Sequence, residues 1–236
     1  MINLASCLDL ANHRADASKK DVEKLCQDVL KYGFHSAFVN PCWIRLTKTT
    51  INEHFRNYPQ TQRYLEGGII RKPKVGTVIS FPLGQDTTEM KIYAIRQAIK
   101  KGADELDVST NVGLLKSGKE KIYLKELKRI VKAAKKIRAG TVVKFIIETG
   151  LLSEQEIKKA SLLVLKSGAD FIKTCSGLGP RGSRIDDISL IKEAVFDKIP
   201  IKVAGGIQTK NQAEKFIQAG ASRIGTSKAV SIVTEK

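Results

Sequence analysis

One phrase recurs four times along the chain, as KYGFHSAFV at 31–39, KKGADELDV at 100–108, KSGADFIKT at 166–174 and QAGASRIGT at 218–226. Each copy reads as the end of a helix, a glycine suited to the left-handed turn that closes it, and a short apolar strand. Further strand-length runs lie at 3–9, 74–80, 141–148 and 200–204, which brings the expected strands to eight. The helical period is carried by 19–32, 87–101, 119–138, 153–167, 186–197 and 209–219, with a shorter helix after Ser227. Nearly continuous apolar strands alternating with helices imply a parallel sheet covered by helices. Eight such units favour a closed (β/α)8 TIM barrel over a doubly wound sheet, and 236 residues is close to the roughly 250 typical of that fold. No Pro- or Gly-rich linker or low-complexity tract interrupts the chain, so residues 1–236 are expected to form a single domain. The stretch 47–72 fits least well: it is longer than an ordinary βα connection and has room for two short helices.

Composition narrows the function classes. No apolar run approaches the ~18 residues of a spanning helix, and no basic leader precedes an apolar segment at the N-terminus. The four cysteines, Cys7, Cys26, Cys42 and Cys175, form no C-x-x-C pair, which points to a reducing, cytoplasmic setting without disulfides or structural metal. His13, His35 and His54 share no ligand spacing with Cys, Asp or Glu and read as non-ligands, and neither common nucleotide-binding glycine motif occurs. The formal charge of +17 attracts polyanions, but much of it lies in 119–138, where nine basic residues face two acidic ones. There Ile122, Leu127, Ile130, Val131, Ala134 and Ile137 fall near helical spacing, so the lysines read as the solvated face of an amphipathic helix. A single aromatic residue, Tyr123, falls among them, short of the interleaved aromatics a stacking platform for nucleic acid requires, so nucleic-acid binding is expected to be weak and salt-sensitive.

The chemistry is expected at the C-terminal ends of the strands, where barrels of this kind carry their sites. Asp9 ends the first expected strand, Asp107 the fourth, Lys173 the sixth, while Lys144 lies on the fifth and Lys202 on the seventh. Lys173 stands at the end of an apolar run and is followed at once by the turn Ser176-Gly177; a buried amine there can attack a carbonyl as a Schiff-base nucleophile. Read alone, Lys173 also suits an ion-paired or snorkelling lysine at a strand end. Lys202 on the next strand lies about 4.8 Å away in backbone, and two ammonium groups so close repel, so one gives up its proton more readily. Asp107 faces both and suits a proton relay through water; the alternative is a purely structural ion-pair network, disfavoured by the cost of charges in the lumen. A second constellation of Gly205-Gly206 after strand seven and Gly225-Thr226-Ser227 after strand eight, with Lys228, suits a phosphate cradle at a helix N-terminus.

Taken in order, LDL at 8–10, YGFHSAFVNP at 32–41, FPLG at 81–84, GADELDV, VGLLKSG at 112–118, KFIIETGLL at 144–152, GADFIKTCSG, IKVAGGI and AGASRIGTS at 219–227 resemble the deoxyribose-phosphate aldolase family of class I aldolases. The resemblance runs along nearly the whole chain. It implies reversible cleavage of 2-deoxy-D-ribose 5-phosphate to acetaldehyde and D-glyceraldehyde 3-phosphate, in deoxyribonucleotide catabolism, with a phosphorylated sugar as partner and a homodimer as the assembly. It also implies a covalent imine on Lys173 with neither cofactor nor metal, Lys202 as the neighbour favouring the free amine, and Asp107 as the carboxylate of the relay. Asp9, Lys144, Ser176, Gly177, Gly205, Gly206, Gly225 and Ser227 are the expected substrate and phosphate contacts. The chain departs from the family pattern where Leu10 and Ala11 follow Asp9, since Ala11 lacks the threonine hydroxyl usual there. The turn reads KTCSG in place of the commoner KTSTG, and no C-terminal tyrosine is present. Two other readings stay open: a Schiff-base barrel aldolase with a different donor, and a non-enzymatic polyanion-binding role.

Overall fold

The computed structural model describes residues 3–57 and 72–235. Its strands are β1 (Leu8–Asn12), β2 (Ser36–Val39), β3 (Lys74–Ile79), β4 (Glu105–Ser109), β5 (Val142–Ile146), β6 (Phe171–Lys173), β7 (Ile201–Ala204) and β8 (Arg223–Thr226). Each pairs in parallel with the next, and β1 pairs with β8, so the sheet closes as an eight-stranded barrel with no free edge. Nearly every strand residue is buried, because lumen and helices cover both faces, which is why these strands read as continuous apolar runs.

The helices are α1 (Lys19–Tyr32), α2 (Ile44–Asn57), α3 (Thr88–Lys101), α4 (Val112–Lys116), α5 (Glu120–Ile137), α6 (Glu154–Ser167), α7 (Ile185–Val195), α8 (Lys210–Gln218) and α9 (Ala229–Thr234). Their ends follow local chemistry. Ser18 and Ser153 form capping boxes with Asp21 and Glu156, and Thr87 caps α3. Such caps are each worth ~1 kcal/mol. The glycines of the recurring phrase, Gly33, Gly102, Gly168 and Gly220, all have positive φ, the conformation that turns the chain from helix into strand.

Several boundaries differ from expectation for identifiable reasons. The run at 3–9 is a 3-10 turn, Leu4–Cys7, followed by β1, and pairing of Asn12 with Val39 carries that strand three residues past Asp9. Likewise β4 continues to Ser109, held to Ile146 of β5. Asp9 and Asp107 therefore lie inside their strands instead of at the ends. The stretch 47–72 begins within α2, one 14-residue helix that already starts at Ile44 and buries Ile44, Thr47, Ile51 and Phe55; the remainder of that expectation, 58–71, lies outside the described residues. Helix α4, also unexpected, is opened by Asn111 Oδ1, which accepts from the Leu114 N–H.

On α5 the buried stripe is Tyr123, Glu126, Leu127, Ile130, Val131 and Ala134, while Ile122 and Ile137 are exposed. Tyr123 displaces Ile122 from the packed face, and Glu126 is taken inside because Lys91 of α3 meets it at 2.7 Å. Burial of Leu127 or Ile130 contributes about 1.5–3 kcal/mol each. Lys121, Lys125, Lys128, Lys132 and Lys136 are solvent-exposed, as a solvated face requires.

Candidate active site

The lumen is crowded with charge at its middle layer. Register pairs Lys173 with Lys202, Lys202 with Arg223, and Asp107 with Lys144, so side chains from β1, β4, β5, β6, β7 and β8 converge. Asp107 Oδ2 accepts from both Lys173 Nζ and Lys202 Nζ, each at 2.8 Å, and Lys144 Nζ lies 3.3 Å from its other oxygen. Asp9 meets Lys202 and Arg223, each at 2.7 Å, and also accepts from the Ser36 hydroxyl. Glu105 accepts from Lys144 and lies near His35 and Arg223.

Glycines make this crowding possible. A Cβ on Gly225 would sit 2.9 Å from Lys202 Cε, and one on Gly76 would collide with the Phe38 ring at 2.2 Å. Phe38 in turn lies under Lys202, whose Nζ is 3.6 Å from the ring centroid, a cation–π contact that favours the charged form.

The proton count follows from these contacts. Burial raises the pKa of the Asp107 carboxyl, but Lys173, Lys202 and Lys144 together outweigh it and hold the group well below the usual carboxylate range. Asp9 and Glu105 are likewise depressed: burial opposes the shift, and the field of Lys202 and Arg223 on Asp9, and of Lys144 on Glu105, prevails. Burial works against the Lys144 ammonium too, yet Asp107 and Glu105 raise its pKa. Lys202 is pushed below the ordinary lysine value by burial, reinforced by Lys144 and Lys173, against the pull of Asp107 and Asp9. Three carboxylates thus face four cationic side chains, Lys144, Lys173, Lys202 and Arg223, and releasing one proton from the Lys173–Lys202 pair balances the cluster. Lys202 meets two carboxylates and lies 3.6 Å from the Phe38 ring centroid, whereas Lys173 meets one carboxylate, Asp107, with the Phe81 centroid 5.9 Å away.

Above this layer a cavity of about 300 Å³ opens at the C-terminal end of the barrel. Lys173 and Lys202 form its floor. Around it stand Ser176, Gly177, Gly205, Gly206, Gly225, Thr226, Ser227 and Lys228, so the expected cradle residues are brought together on one wall. Gly177, Gly205 and Gly206 have positive φ, and a Cβ on Gly205 would lie 3.2 Å from Gly177 Cα, so the two loops approach backbone to backbone. The following helix, α9, has only six residues, so the cradle is one of loop backbone and Lys228 more than of a helix terminus. Ser176 N–H is already engaged, donating to Glu148 Oε2 at 3.0 Å.

Asp9 and Lys144, expected among the substrate contacts, are fully buried beneath the cavity and do not line it, because β1 and β5 run past them. Asp107 is also below the floor, shielded by the two lysines it binds. Cys175 points away, its sulfur 3.1 Å from Thr149 Oγ1. The sequence reading missed His13, Arg14, Phe38 and Phe81 in the lining, and Glu148, whose positive φ of 55° aims it at the loop after β6. The one signal for His13 and Arg14 was their place just after the first strand, where barrel sites lie. Among the described residues no group of three His, Cys, Asp or Glu is arranged to hold a metal ion.

Comparison with known proteins meets this geometry. The family model described as DeoC/LacD family aldolase matches residues 8–229. The chain is 38% identical over 234 residues to a deoxyribose-phosphate aldolase of Thermoanaerobacter sp. (strain X514), covering 99% of this chain and 97% of the relative. It is 39% identical over 232 residues to one of Thermococcus gammatolerans, covering 98% and 96%. Among solved structures, the aldolase QR15 superposes with a TM-score of 0.86 at 35% identity, covering 100% of this chain and 96% of the other. The deoxyribose phosphate aldolase from Aeropyrum pernix, described as a unique tetramer, gives 0.79 at 28% identity, covering 98% and 89%. A barrel with paired lysines on one carboxylate, matched along its whole length by such relatives, belongs to the DeoC/LacD aldolase family.

Proposed function

We propose that the chain, read as one catalytic barrel over 1–236, acts as a deoxyribose-phosphate aldolase of class I. It reversibly cleaves 2-deoxy-D-ribose 5-phosphate to acetaldehyde and D-glyceraldehyde 3-phosphate. The observation that carries the mechanism is the pair of lysines on one buried carboxylate at the floor of a cavity with a glycine-lined wall. Lys173, as the free amine, attacks the C1 carbonyl, and loss of water leaves an iminium. That cation draws the electron pair of the C2–C3 bond as it breaks. The C3 hydroxyl gives up its proton, D-glyceraldehyde 3-phosphate leaves, and the enamine takes a proton at C2 before hydrolysis frees acetaldehyde.

Asp107 suits the relay because it is fully buried against Lys173 and its pKa rises each time the positive charge on Lys173 is neutralised. Lys202 stays protonated and stabilises the carbinolamine oxygen before water departs. Asp9 and Lys144 act through their neighbours, fixing Lys202 and Asp107, without touching substrate. Ser176, Gly177, Gly205, Gly206, Gly225, Ser227 and Lys228 hold the phosphate at the wall, and its binding energy orients the reacting carbons.

The proposed assembly is a homodimer, to be measured by light scattering, with the tetramer of the Aeropyrum pernix protein as the alternative outcome. No described helix is long and apolar enough to cross a membrane. A direct assay tests the function: 2-deoxyribose 5-phosphate should yield acetaldehyde at equal rates with and without chelator. Absence of acetaldehyde, or activity lost with chelator and restored by a divalent ion, contradicts the assignment.

A further inference from the structure

The end of β5 holds the turn after Lys173 residue by residue. Ile147 N–H donates to the Lys173 carbonyl and Thr149 N–H to the Thr174 carbonyl, each at 3.0 Å. Thr149 Oγ1 meets the Cys175 sulfur at 3.1 Å, and Glu148 Oε2 accepts from the Ser176 N–H at 3.0 Å. Glu148 thus stands between two backbone bonds to the strand that carries the amine, and its carboxylate closes on Ser176, the first residue of the turn to line the cavity. Ser176 Oγ in turn accepts from the Leu178 N–H at 3.0 Å. With its N–H given to Glu148 and its oxygen engaged by Leu178, Ser176 has its hydroxyl proton left to meet a phosphate, and where that proton points follows from where the backbone is held.

Glu148 reaches Ser176 from a left-handed backbone, with φ 55° and ψ 65°. Glycine adopts that conformation freely, whereas a residue with a Cβ does so against steric resistance. A glutamate kept there points to work done by its side chain. That work is not direct contact with substrate. Glu148 is buried and does not line the cavity, and Gly179 folds over it so closely that a Cβ there would lie 2.5 Å from Oε1. Oε1 has no hydrogen-bond partner among the described residues, so the bond from Oε2 to Ser176 is what the side chain supplies. A charge-assisted bond to a backbone N–H is about twice as strong as a neutral one, which suits a contact that holds a turn against the pull of a bound dianion. Arg181, which donates to the Thr149 carbonyl at 3.1 Å, brings a cation into the field of this charge.

We propose that Glu148 is a positioning residue for the phosphorylated end of the substrate. By holding the Ser176 N–H, it fixes the separation between Lys173, where the carbonyl is bound, and the Ser176-Gly177 turn, where the phosphate is bound. This rests on the aldolase reading and deepens it. A sugar phosphate gripped at both ends is sensitive to that separation, while an unphosphorylated sugar or acetaldehyde, gripped at Lys173, is not. No bond is made or broken at Glu148.

The test compares Glu148→Ala, Glu148→Gln and Gly179→Ala with the wild type. In Glu148→Ala, kcat/KM for 2-deoxyribose 5-phosphate should fall about 10–100-fold, the scale of a misplacement of about 1 Å. Cleavage of unphosphorylated 2-deoxyribose and borohydride trapping of acetaldehyde should both stay within about twofold, since neither uses the turn. Glu148→Gln, whose amide oxygen can accept from Ser176, should recover most of the loss. Gly179→Ala leaves Glu148 in place but drives its carboxylate aside, so it should lower cleavage of the sugar phosphate selectively as well, and it decides the matter if Glu148→Ala does not fold. Unchanged cleavage of the sugar phosphate in a folded Glu148→Ala, or in Gly179→Ala, overturns the inference while leaving the aldolase reading intact. So does a loss shared equally by both sugars and by trapping without rescue by Gln, since that is a general packing defect. A wild-type protein that fails to cleave the sugar phosphate removes the reading itself and this inference with it.

Discussion

Replacing Lys202 by Leu separates electrostatic tuning from the mere presence of a second amine. Both Nζ atoms are 2.8 Å from the same Asp107 oxygen, so they are separated by at most twice that distance, about 5.6 Å. At an effective dielectric of ~20 their repulsion is about 3 kcal/mol, a factor of about 100. Removing the Lys202 charge also leaves three carboxylates facing three cations. The rate of imine formation, followed by borohydride trapping of acetaldehyde, should rise only at higher pH than in the wild type. Near neutral pH this means a rate lower by about 100-fold, recovering as the pH is raised. Lys173→Leu should show no trapping at any pH, having no amine at that place. Circular dichroism should match the wild type in both variants, since each alters packing only in the lumen, beside Phe38 for Lys202 and beside Phe81 for Lys173. A folded Lys202→Leu protein with an unchanged pH profile refutes the tuning and leaves Lys202 as a contact for substrate or water.

Gly225→Ala should lower trapping by more than tenfold, because its Cβ would press on Lys202 Cε; equal rates in a trapping assay contradict this. Unphosphorylated 2-deoxyribose should be cleaved at least about 100-fold less efficiently, and inorganic phosphate should compete with substrate; a kcat/KM ratio near one removes the cradle. For Glu105 and Asp107 the folded pKa is depressed, so their stabilisation is fully present above the unfolded values near pH 4 and is lost as pH falls towards the folded ones. Thermal melts should show Tm dropping below about pH 4, and less steeply in Glu105→Gln. Nucleic acid should bind weakly and lose affinity steeply with salt in a filter-binding titration; tight binding at physiological salt that competes with substrate would give the exposed lysines of α5 a second role.

The sequence made the barrel legible because each unit carries its own punctuation. Gly33, Gly102, Gly168 and Gly220 all occupy the left-handed turns that their place after helical segments implied. The lysine pair was legible for a related reason: each of two consecutive apolar strands carries one lysine, Lys173 at the end of β6 and Lys202 within β7, and the two are register partners. Depth in the lumen was not legible. Whether Asp9 and Lys144 reach the cavity depends on how far β1 and β5 run beyond them, which tilt and register decide after closure. His13 was passed over because it was weighed only for metal spacing; its unpartnered nitrogen is a property of the packed wall formed with Phe81. Helix α2 was met only as room for short helices within 47–72, because the helix starts three residues earlier, at Ile44.

The identity of the nucleophile is tested most directly by mapping the reduced adduct. Wild-type protein treated with acetaldehyde and borohydride, digested and analysed by mass spectrometry, should carry a single ethyl group, on Lys173. An adduct chiefly on Lys202 or Lys144, or none on any of the three, would contradict the imine at Lys173 on which the mechanism depends.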